Sequence, residues 1–261
     1  IWLATNTNQV IKCVLEYNQL KATDIFSVPS VLCITQDRNG TIWAGSFSQT
    51  IYALKKGEKE FTPVSLYPQS FFTFTPTIHP LSNGEVWIAS FGNKIRSINP
   101  DTWRIRIPDI SRTDSLACIR RSKFIPSVLY EDSQGDIWIG TSHNGLLRYT
   151  SQNHKLSPIS GIGCTEICSI EEDIQGNLWI STLYGLSKYE RQTNQISNYY
   201  ATDGIGGNQF YDRASCRLSN GTLVFGGTHG MTFFNPMETP FKYHVPLTFE
   251  NLKIHNKLIY P

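Results

Sequence analysis

The side chains with chemical potential fall into a few sets. Two acidic runs, Glu131-Asp132 and Glu171-Glu172-Asp173, offer the paired carboxylates that glycoside hydrolysis needs on either side of a sugar. Each run ends an apolar stretch and leads into a Gln-Gly turn, where an aspartate bonds the turn backbone. A turn-building role therefore outranks catalysis, and no catalytic residue is assigned. None of the six histidines forms a HExxH motif or a close pair. His143 and His229 do occupy equivalent loops, as ligand donors or as a rim acid/base. A basic cluster, Arg112, Arg120, Arg121 and Lys123, suits the carboxylates or sulfates of acidic sugars, because a guanidinium binds them through two parallel hydrogen bonds. Phe91, Tyr184 and Tyr211 fall on the same side of the repeat and offer rings for stacking on sugars. The candidate ligand-binding set is Arg120, Arg121, Lys123, His143, Tyr184, Tyr211 and His229.

Other chemistry is poorly represented. The cysteines, Cys13, Cys33, Cys118, Cys164, Cys168 and Cys216, make no CxxC pair and have no zinc-type spacing with histidine. They read as small apolar strand residues, and no metal site is expected. Gly204, Gly206 and Gly207 follow no β-α unit, so no nucleotide or other cofactor is expected.

The elements that must hold these residues are set by a repeat. The clearest copies are Asp37-Arg38-Asn39-Gly40-Thr41-Ile42-Trp43, Asp132-Ser133-Gln134-Gly135-Asp136-Ile137-Trp138 and Asp173-Ile174-Gln175-Gly176-Asn177-Leu178-Trp179. Two variants begin Leu81-Ser82-Asn83-Gly84 and Leu218-Ser219-Asn220-Gly221; the first ends in Trp87, the second in Val224. Ile1-Trp2-Leu3-Ala4 is the tail of a sixth copy. Successive Trp positions are 41, 44, 51, 41 and 45 residues apart, and of the tryptophans only Trp103 lies outside this slot. Such a period indicates four-stranded propeller blades. Glycines 40, 84, 135, 176 and 221 close tight hairpins that demand positive φ. The strand around each Trp is too apolar to face water and must be buried on both sides. The expected fold is all-β: a β-propeller of four-stranded antiparallel blades, A innermost to D outermost. About six blades or partial blades are visible, expected to be part of a seven-bladed ring. The basic cluster lies in the longest interval between repeats, a D–A loop that shares a face with the B–C loops. Extra loop length of this kind tends to carry function.

Bulk properties narrow the function. Of the 261 residues, 40% are hydrophobic and 17% charged, and the net charge of +2 is too mild to imply nucleic-acid binding. No 18-residue apolar run is present, so no membrane contact is expected of this segment. No signal peptide is visible, and the opening mid-strand suggests a fragment.

The copies resemble the two-component regulator propeller repeat, an apolar strand followed by Asp-x-x-Gly-x-apolar-Trp-apolar-Gly-Thr and then Gly-Leu; Asp132 to Leu146 and Asp173 to Leu186 follow it most closely. The stretches 203–210 and 225–236 resemble that family's closing blade, and 247–259 resembles the start of the immunoglobulin-like Y_Y_Y domain that follows such propellers. The resemblance implies 1–236 as propeller, 237–246 as linker and 247–261 as the start of a Y_Y_Y domain or a closing strand. It further implies a periplasmic sensor region of an inner-membrane-anchored hybrid two-component system. Such a region binds an oligosaccharide released from a glycan, or relays its binding, to control polysaccharide-utilisation genes. Implied partners are a neighbouring propeller, the Y_Y_Y domain and a second copy in a homodimer. The alternatives are a lyase or glycoside-processing propeller using rim His and Glu residues, and a protein-interaction scaffold.

Overall fold

The computed structural model describes residues 1–48, 50–66, 77–90, 94–108, 125–238, 252–254 and 257–259. Among the described residues, six antiparallel sheets stand in a ring, a β-propeller of six blades where a seven-bladed ring was expected. Blade I holds β1 (Trp2–Ala4), β2 (Gln9–Glu16) and β3 (Gln19–Ser27). Blade II holds β4 (Val31–Gln36), β5 (Ile42–Ser46), β6 (Thr50–Leu54) and β7 (Thr62–Ser65). Blade III holds β8 (Thr77–Pro80), β9 (Val86–Ser90), β10 (Lys94–Asn99) and β11 (Arg104–Arg106). Blade IV is β12 (Pro126–Glu131), β13 (Ile137–Thr141), β14 (Leu146–Thr150) and β15 (Lys155–Ile159). Blade V is β16 (Ile167–Glu172), β17 (Leu178–Thr182), β18 (Gly185–Glu190) and β19 (Gln195–Tyr199). Blade VI has three strands, β20 (Phe210–Arg217), β21 (Leu223–Gly227) and β22 (Gly230–Phe234). Near the C-terminus, β23 (Leu252–Ile254) and β24 (Lys257–Ile259) form a two-stranded antiparallel sheet.

The second strand of each complete blade is buried at every residue: β5, β9, β13 and β17 have no solvent face. The core lies between blades and follows from the strand period of two. Trp138 points forward into blade V, against Ile170, Ile180 and Tyr189, while its neighbours Ile137 and Ile139 point back to Trp87 of blade III. Trp43 likewise meets Ile78, Val86 and Ile88 of blade III, and Trp179 meets Phe210, Leu223 and Phe225 of blade VI. Each indole wedges its own blade against the next, in one recurring niche.

The turn before each indole explains its position. Gly40, Gly84, Gly135, Gly176 and Gly221 take φ of 82°, 89°, 80°, 82° and 86°, a region that a Cβ disfavours. In blade IV, Asp132 Oδ1 accepts the backbone N–H groups of Gln134 and Asp136 at 2.9 and 3.0 Å, and Oδ2 accepts the Trp138 indole N–H at 2.7 Å. Asp37–Trp43 and Asp173–Trp179 repeat the indole bond at 2.8 and 3.0 Å. Turn bonding by Asp was expected; the indole bond is an addition. One buried carboxylate therefore closes the hairpin and orients the wedge. In the Leu-Ser-Asn-Gly variants the Asn takes over part of the turn: Asn83 and Asn220 Oδ1 accept from Glu85 and Thr222 N–H.

The acidic runs also fasten blades together. Glu172 of blade V accepts from Ser133 N–H and Oγ of blade IV at 2.8 and 2.7 Å, and Glu131 of blade IV does the same for Ser82 of blade III. Arg191 reaches back from blade V to Asp132 at 2.8 Å and also meets Glu172 at 3.3 Å. The five described cysteines form no disulfide with one another; Cys13 and Cys168 are buried as expected, whereas Cys33 and Cys164 are partly exposed and Cys216, on β20, is exposed.

Replacing Asp132 with Ala removes the acceptor of Trp138, two turn amides and Arg191 at once. Urea unfolding at neutral pH is expected to show a loss of about 3–5 kcal/mol, the cost of breaking a buried charged pair from one side. Burial raises the Asp132 pKa, but hydrogen bonds from Trp138 and Arg191 outweigh it and hold the group below the ordinary carboxylate range. Its contribution is therefore full above the unfolded-state value and lost as pH falls through the folded one. The gap between variant and parent should narrow in acid.

Candidate functional site

The inner strands converge on the propeller axis and enclose a cavity of about 620 Å³, within the size range of small-molecule sites. The turn geometry that places each Trp also places the residue paired opposite it on the inner strand. Those partners are Thr35, His79, Tyr130 and Glu171, and all four line the cavity. Blade VI adds Ser215 and the stretch Asp212-Arg213. That stretch lies in a bulge between Phe210 and Ser215, and Arg213 is held at φ 57°, a conformation costing about 1–3 kcal/mol.

Burial shifts the titration of several groups that line this cavity. His79 is partly exposed, and the desolvation of its ring lowers its pKa from 6.5 to about 4. Its Nε2 accepts the Glu131 N–H at 3.2 Å, as a neutral imidazole can. The Tyr130 ring lies 6.2 Å away, and burial first, then the Glu172 and Glu171 charges, push its phenol up to about 12. Burial raises the Glu171 carboxyl as well, and Ser215 Oγ donates to it at 2.8 Å. Burial likewise carries the Cys33 thiol to about 11, so it stays protonated. At neutral pH the cavity offers an uncharged imidazole, a phenol and hydroxyls, with Glu171, Asp212 and Arg213 as its acidic and basic residues. This set matches a hydroxyl-rich ligand, and it lacks a histidine poised near pH 7 for proton transfer.

The sequence-derived set lies elsewhere. Arg120, Arg121 and Lys123, with Arg112 and Phe91, fall outside the described residues. His143 and His229 sit on the B–C turns of blades IV and VI, with blade V between them. His143 Nδ1 lies 3.8 Å from Glu166 Oε1, and His229 Nδ1 is 3.0 Å from Thr228 Oγ1. Tyr184 is on the B–C turn of blade V, more than half exposed, with its ring 5.5 Å from Tyr200. Tyr211 is an inner-strand residue of β20, at the start of the bulge. The three turn residues thus mark one face of successive blades, and none of the four lines the axial cavity. Sequence reasoning missed His79 and Tyr130, and it set Glu171 aside with its acidic run as a turn residue. The available signal was their shared position two residues before the turn's Asp or Leu, a polar site within an apolar strand. Among the described residues no group of three or more His, Cys, Asp or Glu side chains is placed to hold a metal ion.

Because His79 is uncharged when folded and protonates near 6.5 when unfolded, stability should be full above pH 6.5 and fall as pH drops toward 4. The loss amounts to about 3 kcal/mol. In His79→Asn, urea unfolding across that range should lack this limb of the profile.

Comparison with known proteins gives a consistent picture. Residues 25–48, 121–143 and 161–184 match the model of the two component regulator propeller. A histidine kinase, P4, of Formosa agariphila is 26% identical over 245 residues, covering 90% of this chain and 18% of the kinase. The extracellular domain of one B. thetaiotaomicron hybrid two-component system superposes with a TM-score of 0.70 at 16% identity, covering 89% of this chain and 30% of that one. A second such domain from that organism gives 0.54 at 22% identity, over 90% of this chain and 37% of that one. Streptogramin B lyase gives 0.65 at 15% identity, over 89% of this chain and 74% of the lyase. These structures share the fold. The chain spans about a fifth of the kinase and about a third of the extracellular domains.

Proposed function

This chain carries two-component regulator propeller repeats, and from that premise we propose that it is an extracytoplasmic sensor module of a hybrid two-component system. It binds an oligosaccharide derived from a larger glycan, or relays such binding, and itself catalyses no reaction. The observation that carries the reading is the axial cavity, where neutral hydrogen-bonding groups from several blades converge. The histidine kinase relative and the extracellular-domain neighbours support the signalling assignment. Signalling requires only that the ligand favour one arrangement of the sensor over another, since a ligand shifts an equilibrium by its differential affinity. In this proposal the propeller stands in the periplasm, part of a protein anchored in the inner membrane. It works beside a neighbouring propeller and a Y_Y_Y domain, in a homodimer. The basic loop with Arg120, Arg121 and Lys123, together with His143, Tyr184, Tyr211 and His229, forms an outer subsite for acidic sugars.

Calorimetric titration of the sensor region with neutral and acidic oligosaccharides tests this. One class should bind, and Glu171→Gln or Tyr130→Phe should weaken it about tenfold or more, the effect of losing one hydrogen bond to a charged or buried partner. Arg120→Ala/Arg121→Ala should weaken acidic ligands selectively. Unchanged affinity in the cavity variants would end the axial assignment, and unchanged affinity in the arginine variant would end the outer subsite.

A further inference from the structure

Cavities also open between blades I and II, about 630 Å³, and between blades IV and V, about 490 Å³; what sets the clefts apart is how the Trp of each blade is bridged to the next. Between blades IV and V, Arg191 Nε donates to the Gly176 carbonyl at 2.7 Å, and its Nη2 meets Asp132, the acceptor of the Trp138 indole. Between II and III, the Trp103 ring packs against Trp43 at 5.5 Å, with Lys55 Nζ 4.7 Å from the Trp103 ring centre. The III–IV cleft has lost both halves of the device. Leu81 stands where the other turns carry Asp, and Ser151 stands where blade V carries Arg191. The equivalence of the second pair is fixed by contacts: Tyr149 and Tyr189 pair opposite Ile137 and Leu178, two residues earlier in each chain segment. Ser151 Oγ also donates to the Gly135 carbonyl, as Arg191 does to Gly176.

Two consequences are visible. Trp87 is 4% exposed, yet among the described residues its indole N–H has no hydrogen-bond partner. Beside it the cleft opens into a cavity of about 420 Å³, lined by Trp87, Tyr149, His154, Arg106, Glu85 and Glu131 among others. A buried donor without a partner costs about 1–3 kcal/mol, so an acceptor brought to it is favoured by a similar amount. The two aromatic rings lie 5.4 Å apart, and the Tyr149 hydroxyl is 2.6 Å from His154 Nδ1. Of the charges, Arg106 is paired with Glu85, and Glu131 is engaged by Ser82. Carboxylates outnumber the guanidinium, which disfavours an anion.

We propose that the cleft between blades III and IV is a second binding site, which takes one neutral, hydroxyl-rich unit such as a pyranose, one of whose oxygens accepts the Trp87 indole N–H. The choice of a sugar rests on the functional reading above; the open cleft and its unpaired donor do not. The site is distinct from the axial cavity and opposite in charge preference to the basic loop.

The test uses the whole chain labelled with ¹⁵N-tryptophan, the Trp87 indole resonance being assigned with Trp87→Phe. Methyl glycosides of glucose, galactose and mannose are titrated, with glucuronate as the anionic control. One neutral glycoside should move the Trp87 resonance saturably, and glucuronate should leave it in place. Ser151→Arg should abolish the shift, since the new guanidinium finds Glu131 and the Gly135 carbonyl and fills the cleft as Arg191 fills the next. Leu81→Asp/Ser151→Arg should do so as well, with a raised melting temperature. A Trp87 resonance that no glycoside moves, a shift that persists in Ser151→Arg, or an equal response to glucuronate would overturn the proposal. Calorimetric sugar binding with a static Trp87 resonance would overturn this site alone, whereas a moving Trp87 resonance with no axial response would sink the axial reading and keep the cleft.

Discussion

A buried indole held by a buried carboxylate is the constraint on which the rest of the ring depends. The Asp side chain satisfies two turn amides with one oxygen and the indole N–H with the other, as at Asp132. The hairpin, the direction of the Trp and the spacing between blades are thereby set together. The variants expose the logic. Blade VI has replaced both partners, with Leu218 and Val224, and leaves no unmatched polar group in that slot. Blade III has replaced only the acid, and Trp87 is left with an unmatched donor. A charged acceptor and its donor are worth keeping or losing as a pair, because the stranded half costs more than the bond contributes.

The same register that places each Trp gives the axis its chemistry. The residue opposite the indole on the inner strand is free to vary, since it faces the axis at the mouth of a rigid wedge. The chain uses that freedom for Thr35, His79, Tyr130 and Glu171. The scaffold repeats while the lining does not, which is how one architecture presents an asymmetric surface to a ligand without a change of fold.

Much of this architecture could be read before any coordinates. The Trp spacing announced blades, and each Asn-Gly or Gln-Gly announced a hairpin whose glycine does adopt positive φ. The departures at Leu81 and Leu218 were equally visible, but their meaning was not. Whether a missing Asp matters depends on the residue that fills its place from the next blade, some 59 positions on in the case of Arg191 and Asp132. The site was the least legible part. Charge and aromatic residues stand out from their surroundings in the loops. His79 and Glu171 sit inside strands, and only the pairing of strands around a common axis shows that these positions meet.

The axial cavity has a mechanical consequence. Where repeat units are wedged mainly to their immediate neighbours, as solenoid repeats are, a disturbance at one unit decays along the series. A molecule lodged on the axis touches Thr35 and Ser215 at once, residues from blades that share no wedge. It acts as a hub that joins every spoke, so an occupied ring should yield as one body where an empty one yields piecemeal.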